Sequence, residues 1–226
     1  MSLSNFDSPQ FFSADGLPNF QIEAHILASS HMNSQYTIAG IDEAGRGPLA
    51  GPVVAAAVIL DPNNVPDGIN DSKKLSAIRR EVLFDQIIAF GQVGICQISS
   101  TTIDEINILQ ATFMAMEATI AALQTRPQCV LIDGRDIPRN ILIPAYALKG
   151  GDHRSLSIAA ASIIAKVTRD RMMIRYATFF PEYGFERHKG YGTKLHMERL
   201  AKYGPCPIHR QSYAPVANAR PNIPAP

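Results

Sequence analysis

The feature that most constrains the fold is a pair of apolar runs separated by two acids and a glycine-rich turn. The first run predicts a strand over residues 37–42, Glu43 follows Asp42 directly, and the second run covers residues 53–60. Apolar runs of this length, bounded by turn residues, are typical of buried strands. A carboxylate that is buried without a cation costs several kcal/mol. We therefore expect a cation, and specifically a divalent metal ion, opposite Asp42.

Strands alternate with helices along the rest of the chain, which is the pattern of an α/β sheet. Further strands are predicted over residues 92–99, 129–132 and 143–148. Because the first two strands are close in sequence, we expect them to pair antiparallel within a mixed sheet. Four helices are predicted after the capping residues Ser76, Thr102, Ser157 and Thr193, and they end near Phe90, Leu123, Tyr176 and Tyr203.

The strongest helical pattern begins at Thr102, which is predicted to form a capping box with Glu105. Apolar residues then recur at alternating steps of three and four, and they are Ile106, Leu109, Phe113, Met116, Ile120 and Leu123. Such a stripe is typical of a face that packs on the core. The helix after Ser157 instead carries several alanines, which would let it approach the sheet closely.

Charge is unevenly placed although the formal net charge is only +1. Residues 149–210 contain twelve Lys and Arg against five Asp and Glu. This excess favours an anionic partner, and a solvated basic surface is an equally good interpretation. The three cysteines form no CxxC pair, so neither a disulfide framework nor a zinc site is expected, and the cytoplasm is the expected compartment.

The ends of the chain predict no targeting or membrane segment. No apolar stretch is long enough to span a membrane, and no Lys or Arg precedes Arg46, as a signal peptide would require. Residues 1–35 are expected to form a flexible extension and residues 217–226 a disordered tail. The sequence gives no sign of an oligomer, and we expect a monomer.

Four acidic residues are each predicted to lie at the end of a strand or just after it. Asp42 and Glu43 end the first strand, Asp133 ends the strand after the long helix, and Asp152 follows the last apolar run. Ligands of open α/β sheets bind at the carboxyl ends of strands. Converging carboxylates would repel one another unless cations were bound between them. Oxygen ligands favour Mg²⁺ or Mn²⁺ over zinc.

Each acid taken alone has a simpler interpretation. Asp133 before a glycine is more often part of a turn, and Asp152 is more often a capping acid. Asp42 and Glu43 are consecutive, so their side chains point to opposite faces unless the strand ends or bulges there. The glycines at 45 and 47 would allow such a departure. The metal site is therefore predicted from the acids lying together.

Two short motifs offer contacts for phosphate. Gly45, Arg46 and Gly47 lack the spacing of a P-loop or a dinucleotide fingerprint, but they offer bare backbone amides and one guanidinium. The residues Ser72, Lys73 and Lys74 precede a helix start. For this second motif, phosphate binding and a solvated helix terminus are equally good interpretations.

A third motif places Tyr191 between two glycines and close to Lys189. A tyrosine in this setting is free to contact a sugar or a base, although a loop tyrosine usually only packs. His188, His196 and His209 show no ligand spacing and are interpreted as structural or phosphate-facing.

Five motifs together resemble the bacterial ribonuclease HII family over roughly residues 36–216. They occupy residues 40–48, 71–76, 131–134, 159–170 and 188–193. The resemblance implies a ribonuclease H-like fold over residues 36–178, with a five-stranded mixed sheet flanked by helices. A small helical C-terminal region would cover residues 179–216.

The resemblance also implies an activity, an endonuclease that cuts RNA in RNA–DNA hybrids. It would also cut duplex DNA that contains ribonucleotides, on the 5′ side of the ribonucleotide. Two-metal hydrolysis with Mg²⁺ or Mn²⁺ would leave 3′-hydroxyl and 5′-phosphate ends. A related DNA nuclease and a non-catalytic nucleic-acid-binding module are the alternatives.

The family's functional residues fall on matching positions of this chain. Its catalytic and metal-binding acids fall on Asp42, Glu43, Asp133 and Asp152. Its turn that reads the 2′-hydroxyl falls on Gly45, Arg46 and Gly47, and its junction-sensing tyrosine on Tyr191. Many members have Lys-Gly-Asp where this chain has Lys149-Gly150-Gly151-Asp152, but the spacing to the next helix still fits. Asp170 is set aside because pairing with Lys166 is the simpler role.

Overall fold

A five-stranded mixed sheet forms the centre of the computed structural model, which describes residues 16–29 and 37–219 together with Phe6, Phe11 and Ser13. The strands are β1 (Ile38–Ala44), β2 (Val53–Ile59), β3 (Gln92–Ile98), β4 (Cys129–Asp133) and β5 (Ala145–Leu148). Their order is β3-β2-β1-β4-β5. β1 pairs antiparallel with β2 and β2 with β3, whereas β1–β4 and β4–β5 are parallel. The predicted fold class is confirmed.

The helices are α1 (Gln21–Ser29), α2 (Ala77–Phe90), α3 (Ser100–Ala121), α4 (Leu156–Phe179), α5 (Phe185–His188), α6 (Lys194–Tyr203) and α7 (Ala214–Ala217). A one-turn 3₁₀ helix, Gly151–His153, precedes α4. In the described part of the chain, no helix combines the length and the hydropathy that crossing a membrane requires.

The sheet is buried on both faces because β2 carries small apolar residues that alternate between two layers. Ala56 and Val58 pack with α2 and α4, while Ala55 and Ala57 pack with α3 on the other face. The alanines of α4 allow the close approach that the sequence predicted. A Cβ at Gly40 of β1 would lie 2.1 Å from the carbonyl carbon of Ser157, so only glycine fits there.

Two helix starts are confirmed and one is wrong by two residues. Ser76 accepts a hydrogen bond from the Arg79 amide at the start of α2, and Thr193 caps α6 in the same way. The cap of α4 is Ser155 and not Ser157, since its hydroxyl accepts from the Ile158 amide over 3.2 Å.

The predicted capping box at the start of α3 is wrong. Ser99 is the cap, and its hydroxyl accepts from the Thr102 amide over 3.1 Å. Asn107 then interrupts the helix with φ 67° and ψ 164°. Its side-chain oxygen accepts from the amides of Leu109 and Gln110 and so caps a second segment. Five residues of the predicted stripe still pack on the core, and Leu109, which lies just after the interruption, is exposed.

Smaller departures concern the ends of elements. β5 begins at Ala145, two residues later than predicted, and Phe90 is exposed at the end of α2. Within the segment predicted to be flexible, α1 buries Ile22 and Ile26. The predicted domain boundaries stay a prediction, and residues 30–36, 220–226 and most of 1–15 lie outside the described residues.

Candidate active site

Three of the four predicted acids come together at one edge of the sheet. Carboxylate oxygens of Asp42, Asp133 and Asp152 lie within 4.8 Å of one another, and we call these residues the acidic cluster. Asp42 lies in β1 and Asp133 ends β4, and these strands are adjacent and parallel. Their carboxyl ends therefore meet. Asp152 reaches the same point from the 3₁₀ helix before α4.

Backbone amides and one lysine hold the three carboxylates in place. The Glu43 amide donates to Oδ1 of Asp42, and the Gly151 amide donates to Oδ1 of Asp133, each over 2.7 Å. Nζ of Lys73 donates to Oδ2 of Asp152 over 3.2 Å. A Cβ at Gly151 would lie 2.5 Å from Cδ1 of Ile158. Because Gly151 has no Cβ, its backbone can lie close to Ile158, where its amide reaches the Asp133 carboxylate.

Burial and mutual repulsion shape the electrostatics of the acidic cluster. Asp42 and Asp152 are 4% and 2% exposed. Burial raises the pKa of Asp42 well above its ordinary value, and the neighbouring charges of Glu43 and Asp133 raise it further. Burial, followed by the charge of Asp152, also raises the pKa of Asp133. Buried oxygen donors that repel one another are the donor set that suits a hard divalent cation.

Lys73 is the cation that the acids attract. Burial alone would lower the pKa of Lys73, but the Asp152 carboxylate raises it overall. The side chain is nevertheless 77% exposed, so it neutralises the cluster only from its rim. The buried negative charge therefore exceeds what this lysine compensates.

Glu43 does not join the acidic cluster. β1 pairs with β2 without interruption, with Asp42 opposite Ala56 and Glu43 opposite Ala55, so consecutive side chains point to opposite faces. Oε1 of Glu43 lies 3.4 Å from Nη1 of Arg46. Burial raises the pKa of Glu43, the charge of Arg46 opposes this rise and the charge of Asp133 adds to it, so the Glu43 carboxylate still lies near the acidic cluster. Its assignment as a metal ligand stays a prediction.

The turn formed by Gly45, Arg46 and Gly47, which we call the 45–47 turn, follows directly after β1. Gly45 has φ +99°, and a Cβ there would lie 2.1 Å from Nε of Arg169. Nη1 of Arg210 donates to the Arg46 carbonyl over 2.8 Å. These two arginines were not predicted as part of the site, because no periodicity or spacing marks a contact between segments so distant in sequence.

Tyr191 lies against the 45–47 turn, as the sequence motif predicts. A Cβ at Gly47 would lie 3.9 Å from Cε1 of Tyr191, so the turn and the ring form one surface. Nζ of Lys166 and Cζ of Arg169 each lie 5.9 Å from the ring centroid. Lys166 also pairs with Asp170 over 2.8 Å, which confirms the simpler role expected for Asp170. The tyrosine is half exposed and free to contact a ligand.

The predicted basic residues divide into exposed and engaged groups. Lys73 and Lys74 are exposed, whereas Ser72 is buried with its hydroxyl 2.8 Å from that of Ser162. The predicted substrate contact of Ser72 is not supported, because its side chain faces α4 and not solvent. Lys189 adopts a left-handed conformation with φ 51°, and its Nζ donates to the Glu186 carbonyl.

The three histidines are structural and face no phosphate, because all are buried. The Cys206 amide donates to Nδ1 of His209, so the proton of His209 must lie on Nε2. This proton is donated to Nε2 of His196 over 3.0 Å, and Nδ1 of His196 then donates to the Tyr191 carbonyl. Burial lowers the pKa of His196 and of His209 to about 4. The neutral histidines thus support the loop that carries Tyr191.

A mixed sheet with acids at the meeting carboxyl ends of two parallel strands defines a ribonuclease H-like enzyme. The family model of ribonuclease HII matches residues 39–216 of this chain. Ribonuclease HII of Rhizobium leguminosarum bv. trifolii is 54% identical over 211 residues, which cover 93% of this chain and 90% of that protein. The chain belongs to the ribonuclease HII family and is a ribonuclease H endonuclease, as its motifs predicted.

Solved structures of archaeal proteins are similar to this fold. Ribonuclease H2 from Pyrococcus horikoshii gives a TM-score of 0.70 at 28% identity, over 81% of this chain and 96% of that one. The chain matched in the PCNA:RNase HII complex from Archaeoglobus fulgidus gives 0.68 at 29% identity, with the same coverage of both chains. The ribonuclease H-like fold therefore extends to relatives of low sequence identity.

Proposed function

We propose that this endonuclease hydrolyses RNA in RNA–DNA hybrids and cuts duplex DNA on the 5′ side of an embedded ribonucleotide. The observation that carries this proposal is the convergence of Asp42, Asp133 and Asp152 within 4.8 Å, beside the 45–47 turn. Asp42 lies in β1, and the turn follows that strand directly. The ribonucleotide that is recognised would therefore lie next to the bond that is cut.

The acidic cluster would hold Mg²⁺ or Mn²⁺, with Glu43 as a further ligand. When bound, two such ions supply Lewis-acid activation of the attacking water and stabilisation of the leaving 3′-oxygen. The carboxylates must be ionised to bind cations, and a bound ion would offset the burial and the repulsion that together raise the pKa of Asp42. The products would carry 3′-hydroxyl and 5′-phosphate ends.

Substrate selection would lie with the residues around the acids. The amides of the 45–47 turn would contact the 2′-hydroxyl, which is the group that distinguishes RNA from DNA. Tyr191 would stack on the adjoining sugar or base. The exposed Lys73 and Lys74, together with Lys189, would contact phosphates, and duplex affinity should then weaken as salt rises. A monomeric state and a cytoplasmic location stay predictions.

A nicking assay tests the proposal. The protein is given a DNA duplex with one ribonucleotide, the same duplex without it, and an RNA–DNA hybrid, each with Mg²⁺ or Mn²⁺. We expect a cut on the 5′ side of the ribonucleotide, cleavage of the hybrid and no cleavage of the all-DNA duplex. A folded protein that leaves the ribonucleotide duplex intact contradicts the proposal. Comparable cleavage of the all-DNA duplex would favour a related DNA nuclease.

A further inference from the structure

Two buried arginines lie behind the 45–47 turn, and their bonds run to neutral groups. Arg169 and Arg210 are 1% and 0% exposed. In the part of the chain that the structure describes, their hydrogen bonds go to backbone carbonyls and one tyrosine hydroxyl rather than to carboxylates. A buried charge without an ionic partner is costly, so such a residue must be compensated by many well-placed bonds. Here those bonds converge on the turn and its flanks.

Arg210 binds the first two residues of the turn. Its Nη1 donates to the Arg46 carbonyl over 2.8 Å, and its Nη2 donates to the Gly45 carbonyl. Nε and Nη2 also donate to the Gly51 carbonyl, over 3.1 and 3.0 Å. One planar guanidinium therefore fixes two consecutive carbonyls of the turn relative to the residue that leads into β2.

Tyr213 completes this arrangement. Its hydroxyl accepts from Nη1 of Arg210 over 3.0 Å and donates to the Arg46 carbonyl over 2.9 Å. The Arg46 carbonyl thus receives two donors, and the guanidinium is prevented from rotating. The ring of Tyr213 packs with apolar residues around Leu49 and Val53, which holds the hydroxyl in place.

The direction of these carbonyls determines the direction of the next amides. In a planar trans peptide the carbonyl and the following N–H point to opposite sides. Carbonyls of Gly45 and Arg46 that face the buried guanidinium therefore turn the amides of Arg46 and Gly47 away from it. Both of these residues are exposed, so their amides face the surface where the substrate would bind.

We propose that Arg210, locked by Tyr213, is a positioning residue that orients the Arg46 and Gly47 amides toward the ribose 2′-hydroxyl. This inference rests on the proposed function, in which the 45–47 turn reads that hydroxyl. It makes the segment after α6 part of the element that selects the sugar. Arg169 supports the same surface from the other side, because it donates to the carbonyls of Ala50, Pro52 and Lys189.

A pair of matched variants separates positioning from general stabilisation. Tyr213→Phe removes the hydroxyl that bonds the turn, and its ring still fills the same space. Tyr183→Phe removes a hydroxyl that donates to the Gly204 carbonyl over 2.7 Å, in the same region but away from the turn. Each variant is made in an Asp42→Asn background, which keeps the duplex intact during binding. Arg210→Lys serves as a second test, since it keeps the charge and loses the planar fork.

The readout is the ratio of two affinities, measured by fluorescence anisotropy. One duplex carries a single ribonucleotide and the other is the same duplex in all-DNA form. We expect Tyr213→Phe to reduce this ratio about three- to tenfold, as the loss of one well-placed hydrogen bond does. Arg210→Lys should reduce it at least as much. Tyr183→Phe should leave the ratio unchanged, even where it lowers the melting temperature.

Different outcomes would overturn the positioning role of Arg210 and the sugar-reading role of the 45–47 turn. An unchanged ratio in Tyr213→Phe and Arg210→Lys, with a parent that prefers the ribonucleotide duplex, overturns the positioning role and leaves the proposed function standing. Equal reduction of the ratio by Tyr183→Phe also overturns it, because the effect would then be general. A parent that binds both duplexes equally overturns the role of the turn itself, before any tyrosine is changed.

Discussion

The acidic cluster and the 45–47 turn both contain buried charge, but the charges have opposite sign and are compensated differently. The acids lie close together, and burial raises the pKa of Asp42 and of Asp133. Behind the turn, burial and the charge of Arg210 lower the pKa of Arg169 to about 10. The arginines are satisfied by carbonyls of this chain and one tyrosine hydroxyl, whereas under the proposed function the acids would bind cations from outside. One region is therefore complete in the protein alone, and the other is completed by its ligand.

This difference implies that the acidic cluster serves cleavage and that the 45–47 turn serves recognition. Residues of the acidic cluster come from the sheet and from the segment before α4, so their geometry follows from the topology. The turn is set by side chains of α4 and of the segment after α6. Substitutions in one region should therefore leave the property of the other intact.

The largest effect should come from Asp42→Asn. Loss of a central metal ligand is expected to reduce cleavage by about 100-fold or more. The same change removes one buried charge, so the melting temperature of the metal-free protein should rise. Cleavage of the ribonucleotide duplex and thermal unfolding in EDTA measure the two effects. Asp170→Asn, which breaks only a pair with Lys166, is the control and should cleave within about twofold of the parent.

Metal binding should stabilise the parent protein substantially. A ligand that binds only the folded state at 100 times its Kd adds about 2.7 kcal/mol to the free energy of unfolding. Calorimetric unfolding with Mn²⁺ and with EDTA, at equal ionic strength, measures this gain. The gain should shrink in Asp42→Asn and persist in Tyr213→Phe. A gain of equal size in all three proteins would place the ion elsewhere.

Gly45→Ala tests how tightly the turn is held. A left-handed conformation costs an alanine about 1–2 kcal/mol, and the added Cβ would also collide with Arg169. Gly16→Ala is the matched control, because Gly16 has φ +69° with no atom within 4 Å of an added Cβ. Urea unfolding should show a larger loss for Gly45→Ala than for Gly16→Ala. Equal losses in the free energy of unfolding would mean that the Arg169 side chain moves aside at little cost and that the turn is loosely held.

The buried histidines and the acidic cluster should change the stability of the protein with pH in opposite directions, and this is the smallest expected effect. His196 and His209 have folded pKa values of about 4, below the ordinary 6.5, so their contribution is complete above pH 6.5 and is lost as pH falls towards 4. The raised pKa of Asp42 acts oppositely, since metal-free stability falls as pH rises above its ordinary 3.8. Melting temperatures across pH in EDTA measure both limbs.

Variants assign each limb of that pH profile. His209→Gln should flatten the acid limb, the rise of stability between pH 4 and 6.5, and Asp42→Asn should flatten the carboxylate limb, the fall of stability that begins above pH 3.8. If His209→Gln left the acid limb unchanged, the buried histidines would not be its source. The same measurement with Mn²⁺ should suppress the carboxylate limb only, because the ion would compensate the acids and would not contact the histidines.

The sequence predicts the acidic cluster better than it predicts its surroundings, for a physical reason. Asp42 and Asp133 follow apolar strands, and the carboxyl ends of parallel neighbours must meet. The insertion of a second glycine before Asp152 also leaves its position intact, because Gly151 merely brings its amide to Asp133. Local pattern and topology together are enough for these residues.

The contacts that hold the 45–47 turn in place could not be predicted in the same way. Arg210 contacts Gly45 across a separation of 165 residues, and no local pattern encodes that contact. Choices between similar local groups were also missed. Thr102 and Ser157 are plausible caps, but α3 and α4 begin two to three residues earlier, and the hydroxyls of Ser99 and Ser155 accept the capping hydrogen bonds. Ser72 was predicted from its motif, and only the fold shows that Ser162 engages it.

Measuring cleavage and sugar discrimination in the same two variants tests whether the acidic cluster and the 45–47 turn act separately. Asp42→Asn should lose cleavage of the ribonucleotide duplex and keep the parent's preference for binding that duplex over the all-DNA one. Tyr213→Phe should lose part of the preference and should reduce cleavage by no more than about tenfold, against about 100-fold or more for Asp42→Asn. If Asp42→Asn lost the preference together with cleavage, the acidic cluster and the 45–47 turn would act as one unit, and the division between them would be wrong.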